Sequence, residues 1–470
     1  MNVFETSASG SLYAEKKDFQ KSEQHSIVSI DTKNRKQTII GFGGAFTEAT
    51  AHNINLLSPE NRSEIIEAYF GDDGAAYSLT RTHMNSCDFS VTNYSYTPVE
   101  GDTLLEHFTI DPDRADILPM IKDAQGVSKE GFKIFGSPWS AAPWMKDNNN
   151  YVGGKLKKEY YDTWALFFSK YVDAFRAEGV DIWGFTVENE PHGNGNNWES
   201  MHYSPEEMTD FVVNHLGPHL EADGKGDLII MGYDQNRQGV PEWADVMYRD
   251  DTTKRYYDGL AVHWYESTYD YFPDMLEYAR NAAPEKILLQ TEACVDNQVP
   301  VWRDDAWYWQ KEATDWGYYW REEENRHLHP KYAPVNRYAR DIIGCLNHWV
   351  QGWVDWNMVL DTQGGPNWAK NWCIAPIIVN PEKDEIYYTP LYYVMKHFSK
   401  HIRPGAQVLE VNHTDGELMV TAAENEDGSI VVVVFNEGEQ PRSFDLNMDG
   451  TERLIAIDAQ ALQTIVIEPK

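Results

Sequence analysis

Along its middle the chain repeats one rhythm: a short apolar run, a loop with polar or aromatic residues, then a stretch with helical spacing. The runs that read as strands are Thr38 to Phe42, Tyr77 to Thr80, Phe132 to Gly136, Asp181 to Val187, Leu228 to Gly232, Gly259 to Val262, Ile287 to Thr291 and Val350 to Val354. Several are apolar throughout, as strands covered on both faces must be, and eight is the number a closed (β/α)8 barrel requires. Helices are readable between them. Ser58-Pro59-Glu60 offers an N-cap and a proline at the first helical position, followed by Ile65, Ile66 and Tyr69 on one side. From Tyr160 to Glu178, Trp164, Phe167, Phe168, Tyr171 and Phe175 recur at helical spacing until Gly179 stops the pattern. Ser204-Pro205-Glu206 opens a further helix.

After about Lys400 the texture changes to short strand-like runs separated by turns such as His413-Thr414-Asp415-Gly416 and Asn425-Glu426-Asp427-Gly428. The runs are Val408 to Val411, Glu417 to Ala422, Ser429 to Phe435, Arg442 to Leu446, Leu454 to Asp458 and Thr464 to Ile467. Together they form an all-β module of sandwich type, to which the amino-terminal segment around Ser26 to Ile30 contributes strands. The expected fold is therefore α/β, a (β/α)8 TIM barrel with an associated β-sandwich built from the two chain termini. Residues 1–37 and 399–470 are assigned to the sandwich and residues 38–398 to the barrel.

The net charge of -34 makes nucleic acid or an anionic membrane surface a poor partner, because such polyanions are drawn in by unpaired positive charge. No long uncharged apolar run suggests integral membrane contact, and the first twenty residues show no basic start followed by an apolar stretch. A cytoplasmic location is the default expectation, or a secreted or periplasmic one if a leader has been removed. With 24% charged residues and 13% aromatic ones, including 17 Trp and 27 Tyr, the chain is not of disordered type. Rings in that number serve as core bulk or as flat surfaces against which sugars stack. The four cysteines, Cys87, Cys294, Cys345 and Cys373, form no CxxC pair, so neither a structural zinc site nor a disulfide scaffold is indicated.

The sharpest chemical signal is Phe185-Thr186-Val187-Glu188-Asn189-Glu190-Pro191, where polar and acidic residues follow an apolar strand and Pro191 turns the chain away. A second acid, Glu292, ends the run Ile287 to Thr291. Either glutamate alone could be a solvated loop residue. At the ends of the fourth and seventh of eight strands, however, both point into one mouth, as glycoside hydrolysis requires: one carboxylic acid protonates the departing oxygen and one carboxylate attacks the anomeric carbon. Other strand ends carry Asp88, Trp139, Trp144 and His263-Trp264-Tyr265, and Trp356, Asn357, Asn367 and Asn371 follow the last strand. Such groups either bind hydroxyls and cover C–H faces or simply fill the core. His263 lacks an HExxH or comparable partner set and reads as a positioning or hydroxyl contact, not a metal ligand. Cys294 lacks a recognisable histidine partner and reads as a small buried residue. Gly41-Phe42-Gly43-Gly44 matches no phosphate-binding pattern and is expected to form a tight turn leaving the first strand.

These residues fall in motifs that resemble glycoside hydrolase family 30, the acid β-glucosidase or glucosylceramidase-like branch, over essentially the whole chain. The motifs are GFGGAFTEA at 41–49, MNSCDFS at 84–90, SPWSAAPWMK at 137–146, TVENEP at 186–191, VHWY at 262–265, TEAC at 291–294, GWVDWN at 352–357 and GGPNW at 364–368. The resemblance implies a barrel joined to a β-sandwich, with Glu190 as acid/base and Glu292 as nucleophile. It also implies that Asn189 contacts the sugar 2-hydroxyl, that Asp88, Trp139 and Trp356 hold its outer hydroxyls and apolar face, that His263 and Tyr265 flank the nucleophile, and that Asn371 approaches the pocket. No cofactor or metal is expected. Implied substrates are a β-glucoside, a glucan oligosaccharide or a glycolipid, cleaved with retention and with carboxyl groups about 5 to 5.5 Å apart. Removal of terminal glucose is the leading expectation, beside endo-β-1,6-glucanase, β-fucosidase or β-xylosidase action and, more remotely, non-catalytic carbohydrate binding. Specificity is expected to reside in the loops at 194–202 and 295–326; oligomeric state is left open.

Overall fold

The computed structural model describes residues 1–193, 197–267, 269–296, 333–414 and 416–469. Eight parallel strands close into a barrel: β1 (Gly41–Phe46), β2 (Leu79–Met84), β3 (Lys133–Pro138), β4 (Gly184–Thr186), β5 (Ile229–Asn236), β6 (Gly259–His263), β7 (Ile287–Glu292) and β8 (Gly352–Asp355), which pairs back onto β1. Seven expected runs lie on these strands, whereas the first is displaced. Thr38 ends a long strand of the other sheet, His25–Thr38, and the glycine-rich run expected as a turn is β1 itself. The reason is steric: a Cβ on Gly43 would sit 1.9 Å from the Leu79 carbonyl oxygen, and one on Gly44 would sit 2.7 Å from Met358 Cγ. Glycine here serves a close approach between neighbouring segments, not a reversal of the chain.

Side chains alternate across a strand, so every second residue enters the barrel. Leu79, Phe135, Met231, Ala261, Leu289 and Val354 form one buried apolar layer inside it. Two residues further along their strands stand Arg81, Ser137, His263, Thr291 and Trp356, so the layer above is polar and opens toward the carboxyl-terminal mouth. Outside, amphipathic helices cover the strands. Ser58 Oγ accepts from the Asn61 N–H to cap Pro59–Phe70, whose Ile65, Ile66 and Tyr69 are buried. Tyr161–Ala177 buries Trp164, Phe167, Phe168, Tyr171 and Phe175. Ser204 and Glu207 form a reciprocal capping box at the start of Pro205–Phe211.

The second sheet has nine strands, in the order Ala14–Glu15, Asn2–Ser7, Ala461–Ile467, Ile430–Asn436, Leu418–Glu424, Gln407–His413, His25–Thr38, Arg442–Met448 and Thr451–Ile457. Register shifts interrupt the ladder between His25–Thr38 and Gln407–His413, where the sheet bends. Val28, Val432, Val434, Phe444, Ile455 and Ile465 share its own core. On Ile430–Asn436 the alternate residues Val431, Val433 and Phe435 instead join the large core of the barrel. One strand thus belongs to two cores and fastens the sandwich to the barrel. Among the described residues, no helix is long and apolar enough to cross a membrane.

Candidate active site

The polar layer is organised around Asp234, which no sequence signal singled out. A register shift between β5 and β6 falls between Tyr233 and Gln235, and Tyr233 and Asp234 both have positive φ, 72° and 63°. This bulge turns the Asp234 carboxylate into the barrel. There it accepts from Arg81 Nη2 at 2.8 Å, His263 Nε2 at 2.9 Å and the hydroxyls of Thr186 and Thr291, each at 2.6 Å. Burial pushes the carboxyl up, but Arg81 and His263 together hold it well below the usual carboxylate range.

Arg81, fully buried on β2, distributes its charge over the mouth. Its Nη2 also donates to Asn189 Oδ1 at 2.9 Å, and its Nη1 lies 3.2 Å from Glu292 Oε2. Above it, Trp139 and Trp356 stack with ring centroids 5.0 Å apart and planes 22° apart. The guanidinium carbon is 5.0 Å from the Trp139 centroid and 5.6 Å from that of Trp356, within cation–π range.

Glu190 follows the three-residue strand β4 with φ of 50°, a region that non-glycine residues seldom occupy. Its N–H donates to the Asp234 carbonyl at 3.0 Å, and its own carbonyl accepts from Gly193 at 2.7 Å. Held at both ends, the residue aims its carboxylate at His263, whose Nδ1 lies 3.3 Å from Glu190 Oε1. Burial alone would lower the His263 pKa, but Glu292, Asp234 and Glu190 raise it to about 9. The ring is therefore an imidazolium near neutral pH, donating to Asp234 from one nitrogen and to Glu190 from the other.

Glu292 ends β7. Its Oε1 accepts from the Tyr265 hydroxyl at 2.9 Å. Burial raises its carboxyl pKa, while His263 and Arg81 pull it back down. One carboxylate oxygen of Glu190, one of Glu292 and a ring nitrogen of His263 lie within 4.8 Å of one another. Such a trio has the residue types of a metal site. The His263 imidazolium stands beside both carboxyl groups.

Asp88 completes one wall. It is buried and lies 3.3 Å from Asn367 Nδ2 and 3.5 Å from Asn371 Nδ2. Burial, with Glu292 and Glu199 nearby, pushes its pKa well above the carboxylate range, although Asn371 opposes this. Glu199 anchors the surrounding loops, accepting from Ser86 Oγ at 2.8 Å, Asn93 Nδ2 at 2.6 Å and Trp368 Nε1 at 2.9 Å. All nine residues singled out from sequence therefore stand around one mouth: Glu190, Glu292, Asp88, Trp139, Asn189, His263, Tyr265, Trp356 and Asn371. Sequence reasoning missed Arg81, Asp234 and Glu199. A charged residue within the run Leu79-Thr80-Arg81-Thr82 and an acid two residues past the run Leu228 to Gly232 were the signals available. Of the two loops expected to govern specificity, 194–196 and 297–326 lie outside the described residues.

Family models match over most of the chain: the glycosyl hydrolase family 30 TIM-barrel domain over residues 39–402, and the family 30 beta sandwich domain over 405–465. The lysosomal acid glucosylceramidase of Mus musculus is 33% identical over 426 residues, which span 88% of this chain and 78% of that protein. The crystal structure of SrfJ from Salmonella typhimurium superposes with a TM-score of 0.87 at 28% identity, covering 100% of this chain and 99% of that one. An endo-beta1,6-glucanase structure superposes with a TM-score of 0.84 at 26% identity, covering 100% and 99% respectively.

Proposed function

The chain belongs to glycosyl hydrolase family 30 and is a retaining glycoside hydrolase, and from that premise we propose that it removes terminal β-linked glucose as an exo-acting β-glucosidase of glucosylceramidase type. The observation that carries the reading is the carboxylate pair, with oxygens within 4.8 Å, beside a stacked tryptophan wall and the buried Asp88. Such closeness suits a nucleophile and an acid/base that flank the scissile bond with no water between them. An inverting pair stands about 6.5 to 9.5 Å apart to admit a water.

In this reading Glu292 attacks the anomeric carbon while Glu190 donates its proton to the leaving oxygen. Water, deprotonated by Glu190, then resolves the glycosyl-enzyme, so two inversions retain the anomer. Arg81, the His263 imidazolium and the Tyr265 hydroxyl favour the ionised form of the nucleophile. Asn189 has its oxygen committed to Arg81, which leaves its amide N–H groups for the sugar 2-hydroxyl. Asp88 stands buried against the side-chain amides of Asn367 and Asn371, where it would hold the sugar's outer hydroxyls. Trp139 and Trp356 would cover the apolar face of the ring.

The likeness to an endo-beta1,6-glucanase favours a second reading, in which the same chemistry cuts within a β-1,6-glucan. Product analysis separates the two. The panel is glucosylceramide, gentiobiose, β-1,6-glucan, branched laminarin and nitrophenyl glucoside, fucoside and xyloside, with Glu292→Gln as control. Glucose released first, as the β-anomer and lost in the control, supports the exo reading. Longer oligosaccharides as first products favour the glucanase, and turnover of fucoside or xyloside above glucoside would replace glucose as the substrate sugar.

A further inference from the structure

Two of the four cysteines stand at matching positions in the site. Cys294 lies two residues after Glu292, and Cys373 two residues after Asn371. A short antiparallel ladder joins the segments that carry them, pairing Val295 with Ile374 and Asp296 with Cys373. This register places Cys294 diagonally across from Cys373 on the same face. Their sulfurs are 3.1 Å apart, both are buried, and both are free thiols. Cys87 and Cys345 sit elsewhere, beside Ser90 and between Arg237 and Asp341 respectively.

The pair is also part of a chain of contacts across the mouth. The Tyr265 hydroxyl that donates to Glu292 lies 3.5 Å from Cys294 Sγ. Cys294 in turn donates to Cys373, whose thiol is 3.9 Å from the Asn371 carbonyl. Asn371 ends the chain at Asp88. The dithiol thus links the group that orients the nucleophile to the group beside the buried acid.

We propose that Cys294 and Cys373 are an oxidation site, and that their disulfide lowers turnover by drawing the Asn371 loop toward the nucleophile's strand. With hydrogen peroxide as oxidant, one sulfur attacks a peroxide oxygen, giving a sulfenic acid and one water. The second sulfur then displaces the hydroxyl of that acid, which leaves as a second water with the thiol proton; two thiols and one peroxide become one disulfide and two waters. The bond is about 2.05 Å long, so closure from 3.1 Å moves the two sulfurs together by roughly 1 Å in sum. A displacement of that size within a site costs on the order of 100-fold in rate. The shared hydrogen bond with Cys294, together with burial, pushes the Cys373 thiol well above its ordinary range. Cys373 is therefore held as the thiol near neutral pH, and the rate at which it is oxidised climbs as pH rises.

The test treats the whole protein with hydrogen peroxide at several pH values, alkylates it, maps disulfides by peptide mass, and measures kcat/KM on whichever nitrophenyl glycoside is turned over. The expected result is a Cys294–Cys373 crosslink, kcat/KM lowered by about 10- to 100-fold, and recovery on adding dithiothreitol. Cys373→Ser, scored against its own untreated activity, ignores the same peroxide dose; Cys294→Ser serves if that variant does not fold. No crosslink, equal peroxide loss in the serine variant, or a crosslink with unchanged kcat/KM each overturns the proposal. The crosslink is scored by mass and does not depend on which sugar is the substrate, so a failed substrate assignment remains distinguishable from a failed redox site.

Discussion

Replacing Asp234 with asparagine tests whether the polar layer works as an electrostatic unit. The substitution keeps the shape of the side chain and removes the charge that His263 faces at 2.9 Å. In the folded protein the His263 pKa is about 9, against an ordinary 6.5. A raised pKa stabilises the fold by an amount fully present below the unfolded value and lost as pH rises through the folded one. Here the amount is about 3 kcal/mol, disappearing between roughly pH 6.5 and 9. Removing one of the three carboxylates that hold the imidazolium should lower its pKa by at least about one pH unit, or ~1.4 kcal/mol. At about 2.1 cal/mol/K per residue, a chain of 470 residues unfolds with an entropy near 1 kcal/mol/K, so each kcal/mol moves Tm by roughly 1 °C.

The assay is calorimetric melting of wild type and Asp234→Asn from pH 6 to 10. The variant melts lower throughout, because Arg81 loses a buried partner. The gap is widest near pH 6 and narrows by about 1.5 °C or more once His263 is neutral in both proteins. Groups unaffected by the substitution cancel in the difference. A gap that stays constant or widens toward pH 10 refutes the coupling between Asp234 and His263.

Glu190→Gln should still form a glycosyl-enzyme from a dinitrophenyl glycoside, whose leaving group needs no proton, but release it slowly; a burst followed by a steady rate lowered about 100-fold is expected in stopped-flow absorbance. Asn371→Ala removes a donor beside Asp88 and should raise KM roughly tenfold, as expected when a hydrogen bond worth about 1.4 kcal/mol is lost; an unchanged KM would remove Asn371 from the binding wall. Gly43→Ala places a Cβ 1.9 Å from the Leu79 carbonyl oxygen, and a loss of more than about 3 kcal/mol in denaturant melts is expected.

The barrel was legible because several of its strands are apolar runs and its catalytic carboxylates sit at or just beyond the ends of two of them. The β1 glycines were misread since small residues signal turns locally, whereas here they answer to Leu79 and Met358 across the strand gap. Arg81 and Asp234 escaped notice for a related reason. Each is a charged residue whose meaning depends on a partner more than 150 positions away, and Asp234 reaches it only through a bulge that no alternation pattern foretells. Glu199 likewise gains its role from Ser86, Asn93 and Trp368, which two loops far apart in sequence supply.

The pairing of Asn2–Ser7 with Ala461–Ile467 sets a timetable for biosynthesis. At about 5 to 20 residues per second, the amino-terminal strand waits roughly half a minute or longer after emerging from the ribosome before its neighbour exists. During that interval the barrel can close, but the sandwich keeps an unpaired edge, the kind of surface that recruits other chains or chaperones. A translation stop that removed Ala461–Ile467 would leave both Asn2–Ser7 and Ile430–Asn436 without the strand between them. Damage that stops synthesis before Ala461 should therefore surface as aggregation and degradation, even though every catalytic residue has already been made.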